Sequence, residues 1–381
     1  MPDHALLDIA LTDLPVVGAL ELEHTDRGLT PHRLPRWARA QSPEPMLHLV
    51  ESMPAGVRLA LVTDASTLEL DVDLTLIQLS NRPLLPAAFG LVVDGAEIAT
   101  VNATEGTVLS LDAAGNLVTT PGPSTTVRFE LPADPSAVVE VWLPHAAVVS
   151  IRAARLIDAT VMAPAAPTGR RWVHYGSSIS HCIEATGPTR TWPNAVALRA
   201  GWNLHNLGLG GQCVLDQFAA RTIRDLPADA ITLKLGINVV NGDSFRERSF
   251  IPAVHGFLDT VREGHPQTPV VVVTPVICPV VESSPGPTVL QEDGRFGPVP
   301  RAVELSTGAL SLGRIRELLA QVVTARRAAG DDQLHLLDGL GLFGAHDTAD
   351  LYDGLHPTAE GYLRIADRFY DQVCAPGGLL G

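Results

Sequence analysis

The feature that most constrains this chain is a change of hydrophobic period part-way along it. From about residue 10 to residue 155 the chain reads as strands, with runs in which apolar positions recur at every second residue. Leu68, Leu70, Val72, Leu74 and Leu76 alternate with Glu69, Asp71, Asp73 and Thr75. Val127, Phe129 and Leu131 alternate with Arg128 and Glu130, and Val139, Val141 and Leu143 with Glu140 and Trp142. A period of two buries one face of a strand and wets the other, as in antiparallel sheet. Turn signals at Asp94-Gly95, Ala114-Gly115-Asn116 and Pro121-Gly122-Pro123 cut these runs short. The pattern predicts an all-β sandwich or jelly roll.

The small, proline-rich stretch Ala163–Gly169 reads as a linker, and beyond it the pattern is different. Short apolar runs at Arg171–Tyr175, Asn203–Leu207, Ala230–Leu235, Val270–Thr274 and Leu334–Leu337 are separated by helical stripes. Leu312, Ile315, Leu318, Leu319, Val322 and Val323 form one stripe; Tyr362, Ile365, Ala366, Phe369 and Val373 form another. Strand and helix in alternation predict an α/β unit with a doubly wound parallel sheet, whose sites lie at the carboxyl ends of its strands. The expected organisation is an all-β domain over 1–165 and an α/β domain over 166–381, two domains being normal for 381 residues. Glu282–Leu310, rich in Pro, Gly and Ser, reads as a long connection flanking the site.

Charge narrows the partners. With 27 basic against 42 acidic residues the net charge is −15, which argues against nucleic acid and anionic membrane surfaces. No apolar stretch reaches the roughly 18 residues needed to span a bilayer. The N-terminus, MPDHALLDIALTDLP, has neither a basic leader nor a clean apolar core, so the expected compartment is the cytoplasm. Cys182, Cys213, Cys278 and Cys374 are too widely spaced for a disulfide framework or a zinc pair and read as buried thiols of a reducing compartment. No histidine pair has metal-ligand spacing with a third ligand, so neither metal nor cofactor is expected. His174, His205 and His335 read as structural, while His181 is a candidate pocket residue.

Four motifs carry the chemistry. Tyr175-Gly-Ser-Ser-Ile-Ser180 follows the first α/β strand, where a serine at a strand-to-helix turn presents its hydroxyl and its own N–H above the sheet. It is not a G-x-S-x-G elbow, because residue 180 is serine. Asn206-Leu-Gly-Leu-Gly-Gly-Gln212 follows the second strand and lets backbone N–H groups approach a ligand; the dinucleotide fingerprint would require glycine at Cys213. Leu235-Gly-Ile-Asn-Val239 ends the third strand, and its asparagine is a candidate oxyanion donor. Asp353-Gly-Leu-His356-Pro357 places a carboxylate and an imidazole on one side of a turn before the last helix. Each motif alone is also an ordinary turn or cap. Together they supply nucleophile, oxyanion donors and an acid–base pair at the ends of successive βα units.

In that order the motifs resemble the SGNH (GDSL-type) hydrolase family over about residues 171–375. The resemblance implies Ser178 as nucleophile with Asp353 and His356 as its triad partners, and an oxyanion hole made by Ser178, Gly211 and Asn238. Ser177 stands where the family usually has aspartate, which leaves Ser177 as the competing nucleophile. The β-rich front half resembles the jelly-roll domain preceding some members, carbohydrate esterases among them. The layout and length are similar to a salicylyl acyltransferase of tetracycline-type polyketide tailoring. The resemblance implies acyl transfer from a thioester or ester to an alcohol of a small molecule, or hydrolysis when water is the acceptor. A non-catalytic carbohydrate-binding protein is the alternative from another class. Asp338 is a candidate substitute acid, Trp192-Pro193 reads as a helix start rather than a substrate platform, and the 282–310 connection as a cap over the acyl pocket or a surface excursion.

Overall fold

The computed structural model describes residues 6–78, 83–111, 117–132, 134 and 136–381. The turn expected at Ala114-Gly115-Asn116 lies outside them. The chain divides into two compact units: one made of Met1–Arg36, His48–Gly169 and Thr186–Arg190, the other of Trp37–Leu47, Arg170–Ala185 and Thr191–Gly381.

The first unit is built from two sheets. One runs in the order Leu117–Thr120, Thr107–Leu111, Thr67–Gln78, Ala147–Ile157, Gly28–His32, Glu21–Thr25; the other in the order Met162–Pro164, Arg58–Thr63, Val138–Trp142, Ala87–Val93, Ala96–Ala103. Neighbours are antiparallel except Thr67–Gln78 with Thr107–Leu111, which run parallel. Leu68, Leu70, Val72, Leu74 and Leu76 share one apolar core with Leu59, Leu61, Phe89, Leu91, Val139 and Val141 of the other sheet. The alternation in sequence therefore becomes a sandwich, each sheet turning its apolar face to the other.

Three details depart from the sequence reading. The β-rich segment also holds two short helices, Arg36–Arg39 and Pro45–Glu51. The proline-rich stretch read as a linker begins as an edge strand: Met162–Pro164 pairs with Thr63, Val62 and Leu61, an edge being where a proline without an N–H is tolerated. Trp142 falls on the polar side of its strand yet is only 2% exposed. The Arg58 guanidinium lies 4.9 Å from its ring centre, and its indole N–H donates to Glu140.

In the second unit five parallel strands form one sheet in the order Asn203–Gly208, Arg171–Gly176, Ala230–Lys234, Val270–Val273, Leu334–Leu337. Numbered along the chain this is 2-1-3-4-5, the flavodoxin-like order. Helices Trp192–Ala200 and Ala359–Phe369 pack together on one face with Trp172, Leu204 and Val271; helices Gln217–Asp225, Glu247–Gly264 and Leu312–Ala328 form a second packed group. Val270–Val273 is buried throughout, as an apolar run without alternation requires when both faces are covered. The order reverses between the first and third strands, so the loops following strands one, two and three open beside one another at the carboxyl edge. The connection read as one long loop contains a hairpin, Thr288–Leu290 with Phe296–Pro298. Among the described residues no helix is long and apolar enough to cross a membrane.

Leu70 is 0% exposed and Ile98 is 52% exposed in the same sandwich. Leu70→Ala is expected to destabilise the protein by about 2–5 kcal/mol, and Ile98→Ala by less than about 0.5 kcal/mol, in denaturant unfolding followed by circular dichroism.

Candidate active site

The first parallel strand ends at Gly176, and Ser178–His181 forms a single helical turn directly after it. The serines of this turn take separate tasks. Ser177 is the N-cap, its hydroxyl accepting from the Ile179 N–H at 3.3 Å. Ser180 Oγ is 2.8 Å from His174 Nε2, inside the unit. Ser178 is half-buried, and its Oγ is 2.9 Å from His356 Nε2. As the first residue of the turn, Ser178 carries an N–H that no helix carbonyl can accept. Two glycines seat this turn: a Cβ on Gly176 would lie 2.2 Å from Ser180 Oγ, and one on Gly208 2.6 Å from the Ser180 carbonyl carbon. The indole N–H of Trp192 donates to the Ile179 carbonyl at 2.8 Å, so this buried tryptophan both opens its helix and braces the turn carrying Ser178.

His356 stands on a tight loop. Leu351 bridges Pro357, and the Thr358 N–H donates to the Asp350 carbonyl at 2.8 Å, closing the loop at its base. Within it Asp353 Oδ1 accepts the N–H groups of Leu355 at 3.0 Å and His356 at 2.7 Å, an Asx turn. Asp353 Oδ2 is 2.8 Å from His356 Nδ1. Burial pushes the Asp353 carboxyl up, but the hydrogen bonds and charge of His356, together with the two N–H groups, outweigh it. They hold the carboxyl well below the usual carboxylate range. An ionised Asp353 requires the proton on Nδ1, and in the neutral imidazole that leaves the Nε2 lone pair facing the Ser178 hydroxyl. The last helix begins at Ala359, two residues after Pro357: Thr358 is its cap, accepting from the Gly361 N–H.

The glycine-rich turn and the asparagine are coupled. Asn206 Oδ1 accepts the Gly208 N–H at 2.8 Å and shapes the end of the second strand. Gly211 is exposed with φ +73°. Two residues on, the Cys213 N–H donates to Asn238 Oδ1 at 3.1 Å. With its oxygen engaged there, Asn238 turns its NH₂ elsewhere as a donor. Lys234, at the end of the third strand, is 2% exposed, and burial draws its pKa down to about 8. Burial, with the Lys234 charge, draws His174 down to about 3, so His174 is a neutral structural group, hydrogen-bonded to Thr232 as well as Ser180.

Other sequence candidates take structural places. Asp338 Oδ1 accepts from the Leu340 N–H and the Thr274 hydroxyl, capping a short turn. His181 is 1% exposed on the last residue of the Ser178 turn. Sequence reasoning missed the surroundings of His356: Tyr352, Phe296 and, through the Tyr352 hydroxyl, Glu184. The adjacency of Tyr352 to Asp353 was a usable signal; Phe296 and Glu184 lie in segments without periodicity. Among the described residues no group of three or more His, Cys, Asp or Glu side chains is placed to hold a metal ion.

Residues 174–364 match the model of the GDSL-like lipase/acylhydrolase family. The chain belongs to that family. Its SGNH-type domain makes it an enzyme of the serine esterase and acyltransferase group. Among solved structures it is similar to the salicylyl-acyltransferase SsfX3 from a tetracycline biosynthetic pathway, at 26% identity over 97% of both chains with a TM-score of 0.80. A GDSL-like lipase structure from Bacteroides ovatus aligns over 96% of both chains at 18% identity and TM-score 0.65. A family two carbohydrate esterase from Cellvibrio japonicus aligns over 97% of both at 14% identity and TM-score 0.58. These last two show the shared fold. No curated protein matches by sequence.

Asp353 has a lower pKa folded than unfolded, so its ionised form stabilises the fold above its unfolded value, about 4, and that contribution is lost as pH falls through the folded value. Wild type is expected to melt above Asp353→Asn at pH 6, with the gap closing below about pH 4, when Tm is measured against pH.

Proposed function

We propose that this protein performs serine-dependent acyl transfer through an acyl-enzyme, moving an acyl group from a thioester or ester to an alcohol of a small molecule. The carrying observation is the relay in which Asp353 Oδ2 lies 2.8 Å from His356 Nδ1 and Ser178 Oγ lies 2.9 Å from His356 Nε2. In this reading Ser178 is the nucleophile, His356 the general base and then acid, and Asp353 the group that fixes the imidazole and stabilises its charged form. Ser178 Oγ attacks the acyl carbonyl as its proton passes to Nε2. The resulting oxyanion is held by the N–H groups of Ser178 and Gly211 and the Asn238 amide. Collapse expels the thiol or alcohol, which takes the proton from His356.

The likeness to an acyltransferase, at 26% identity and a TM-score of 0.80, exceeds that to the lipase and esterase structures, at 18% and 14% identity and TM-scores of 0.65 and 0.58; this supports transfer over hydrolysis and makes an aryl acyl group the first donor to test. A polyketide natural product is the acceptor class we assign on the same likeness. Hydrolysis is the other fate of the same acyl-enzyme, reached when water takes the place of the alcohol. We read the domains as a β-sandwich over 1–165 and a catalytic domain over 166–381. Four unpaired cysteines, three of them buried, support a cytoplasmic, reducing setting.

Purified protein offered an aryl thioester is expected to release thiol and to form ester when an alcohol is supplied. Ser178→Ala should lower turnover by at least about 1,000-fold, and Asn238→Ala should lower kcat by about 100- to 1,000-fold. Retained turnover in Ser178→Ala with loss in Ser177→Ala would reassign the nucleophile. Free acid released at one rate whatever alcohol is present would make the enzyme an esterase.

A further inference from the structure

Two rings flank His356. The Tyr352 ring stacks on the imidazole, with centroids 6.2 Å apart and planes 24° apart. Its hydroxyl donates to Glu184 Oε1 at 2.6 Å, and the Tyr362 hydroxyl donates to Oε2 at 2.8 Å. The second ring, Phe296, meets the imidazole nearly perpendicularly, at 5.6 Å and 69°. Tyr352 belongs to the His356 loop itself. Phe296 arrives from the hairpin inside the 282–310 connection, and its N–H donates to the Asp353 carbonyl at 2.9 Å, which locks the hairpin to the acid–base loop.

Across the hairpin Leu290 is the register partner of Phe296, so their side chains stand on one face. Phe296 is half-buried, whereas Leu290 is 43% exposed. The His356 side chain is itself only 12% exposed. An apolar surface thus adjoins the imidazole, the group that takes the proton of whatever attacks an ester on Ser178.

We infer that Phe296 is a specificity-determining residue that selects the attacking species in deacylation, favouring an alcohol with an apolar body over water. The inference rests on the acyl-enzyme reading of Ser178. In deacylation the acceptor O–H gives its proton to His356 Nε2 while its oxygen bonds to the acyl carbon. The tetrahedral intermediate then collapses, the bond from the acyl carbon to Ser178 Oγ breaks, and Oγ recovers the proton from the imidazolium. Water and alcohol follow the same steps. They differ in what is attached to the attacking oxygen. An apolar body resting on Phe296 and Leu290 leaves water as the transition state forms, and a water molecule has no such body.

Partition of one acyl-enzyme tests this. The full chain is given an aryl thioester in buffer containing benzyl alcohol, and free acid and benzyl ester are quantified. Both products come from the same intermediate, so their ratio does not depend on how fast acylation runs. Phe296→Ala is expected to lower the ester-to-acid ratio by about tenfold or more, with Phe296→Leu keeping most of it. Leu290→Gln, at an exposed position, should move the ratio in the same direction and stands as the test if Phe296→Ala does not fold. A purely structural Phe296 would slow both products together and leave the ratio at its wild-type value, which overturns the inference. Wild-type enzyme that releases thiol but yields only acid overturns it too. Thiol release that survives Ser178→Ala would instead remove the acyl-enzyme reading beneath it.

Discussion

The hydrogen bond between Ser178 Oγ and His356 Nε2 joins residues 178 positions apart, and the geometry of the site depends on it. Neither partner could be placed by its own segment. Ser178 stands where it does because Gly176 and Gly208 let the helical turn settle against two strand ends and because Trp192 holds the Ile179 carbonyl. His356 stands where it does because Asp353 spends one carboxylate oxygen on the backbone of the loop and the other on the ring. The parallel sheet supplies the common frame. Its strands Ala230–Lys234 and Val270–Val273 are buried on both faces, so polar chemistry collects at the carboxyl ends.

Much of this was legible in the residues. The five apolar runs, the two helical stripes and the alternating strands of the front half all correspond to elements of the structure. The reason is physical: each pattern is the trace of a buried face, and burial dominates folding energetics. The strand-end motifs were legible for a related reason. Glycine, serine, asparagine and the Asp-x-x-His turn are needed for local geometry, so they appear as short contiguous strings.

What escaped the sequence depended on long-range packing. Trp142 sits on the polar side of its strand but is covered by an arginine from a neighbouring strand, and no period reports that. Met162–Pro164 joins a sheet because strand Arg58–Thr63 had an open edge, not because its own composition favours a strand. The hairpin within the 282–310 connection is held at Phe296 by one hydrogen bond to a carbonyl nearly sixty residues away. The motif frame already favours Ser178 over Ser177 as the proposed nucleophile, but that the Ser177 hydroxyl caps the turn is a matter of backbone dihedrals.

The cap at Ser177 has an electrical consequence. Family members usually carry aspartate at that position, and an aspartate there would place a formal negative charge one peptide from Ser178, the proposed nucleophile. Here a neutral hydroxyl satisfies the same Ile179 amide while completely enclosed by protein. No ion has to be stripped of its hydration to build the turn, and in the proposed reaction the positive end of the backbone dipoles stays unopposed where negative charge would gather on the substrate.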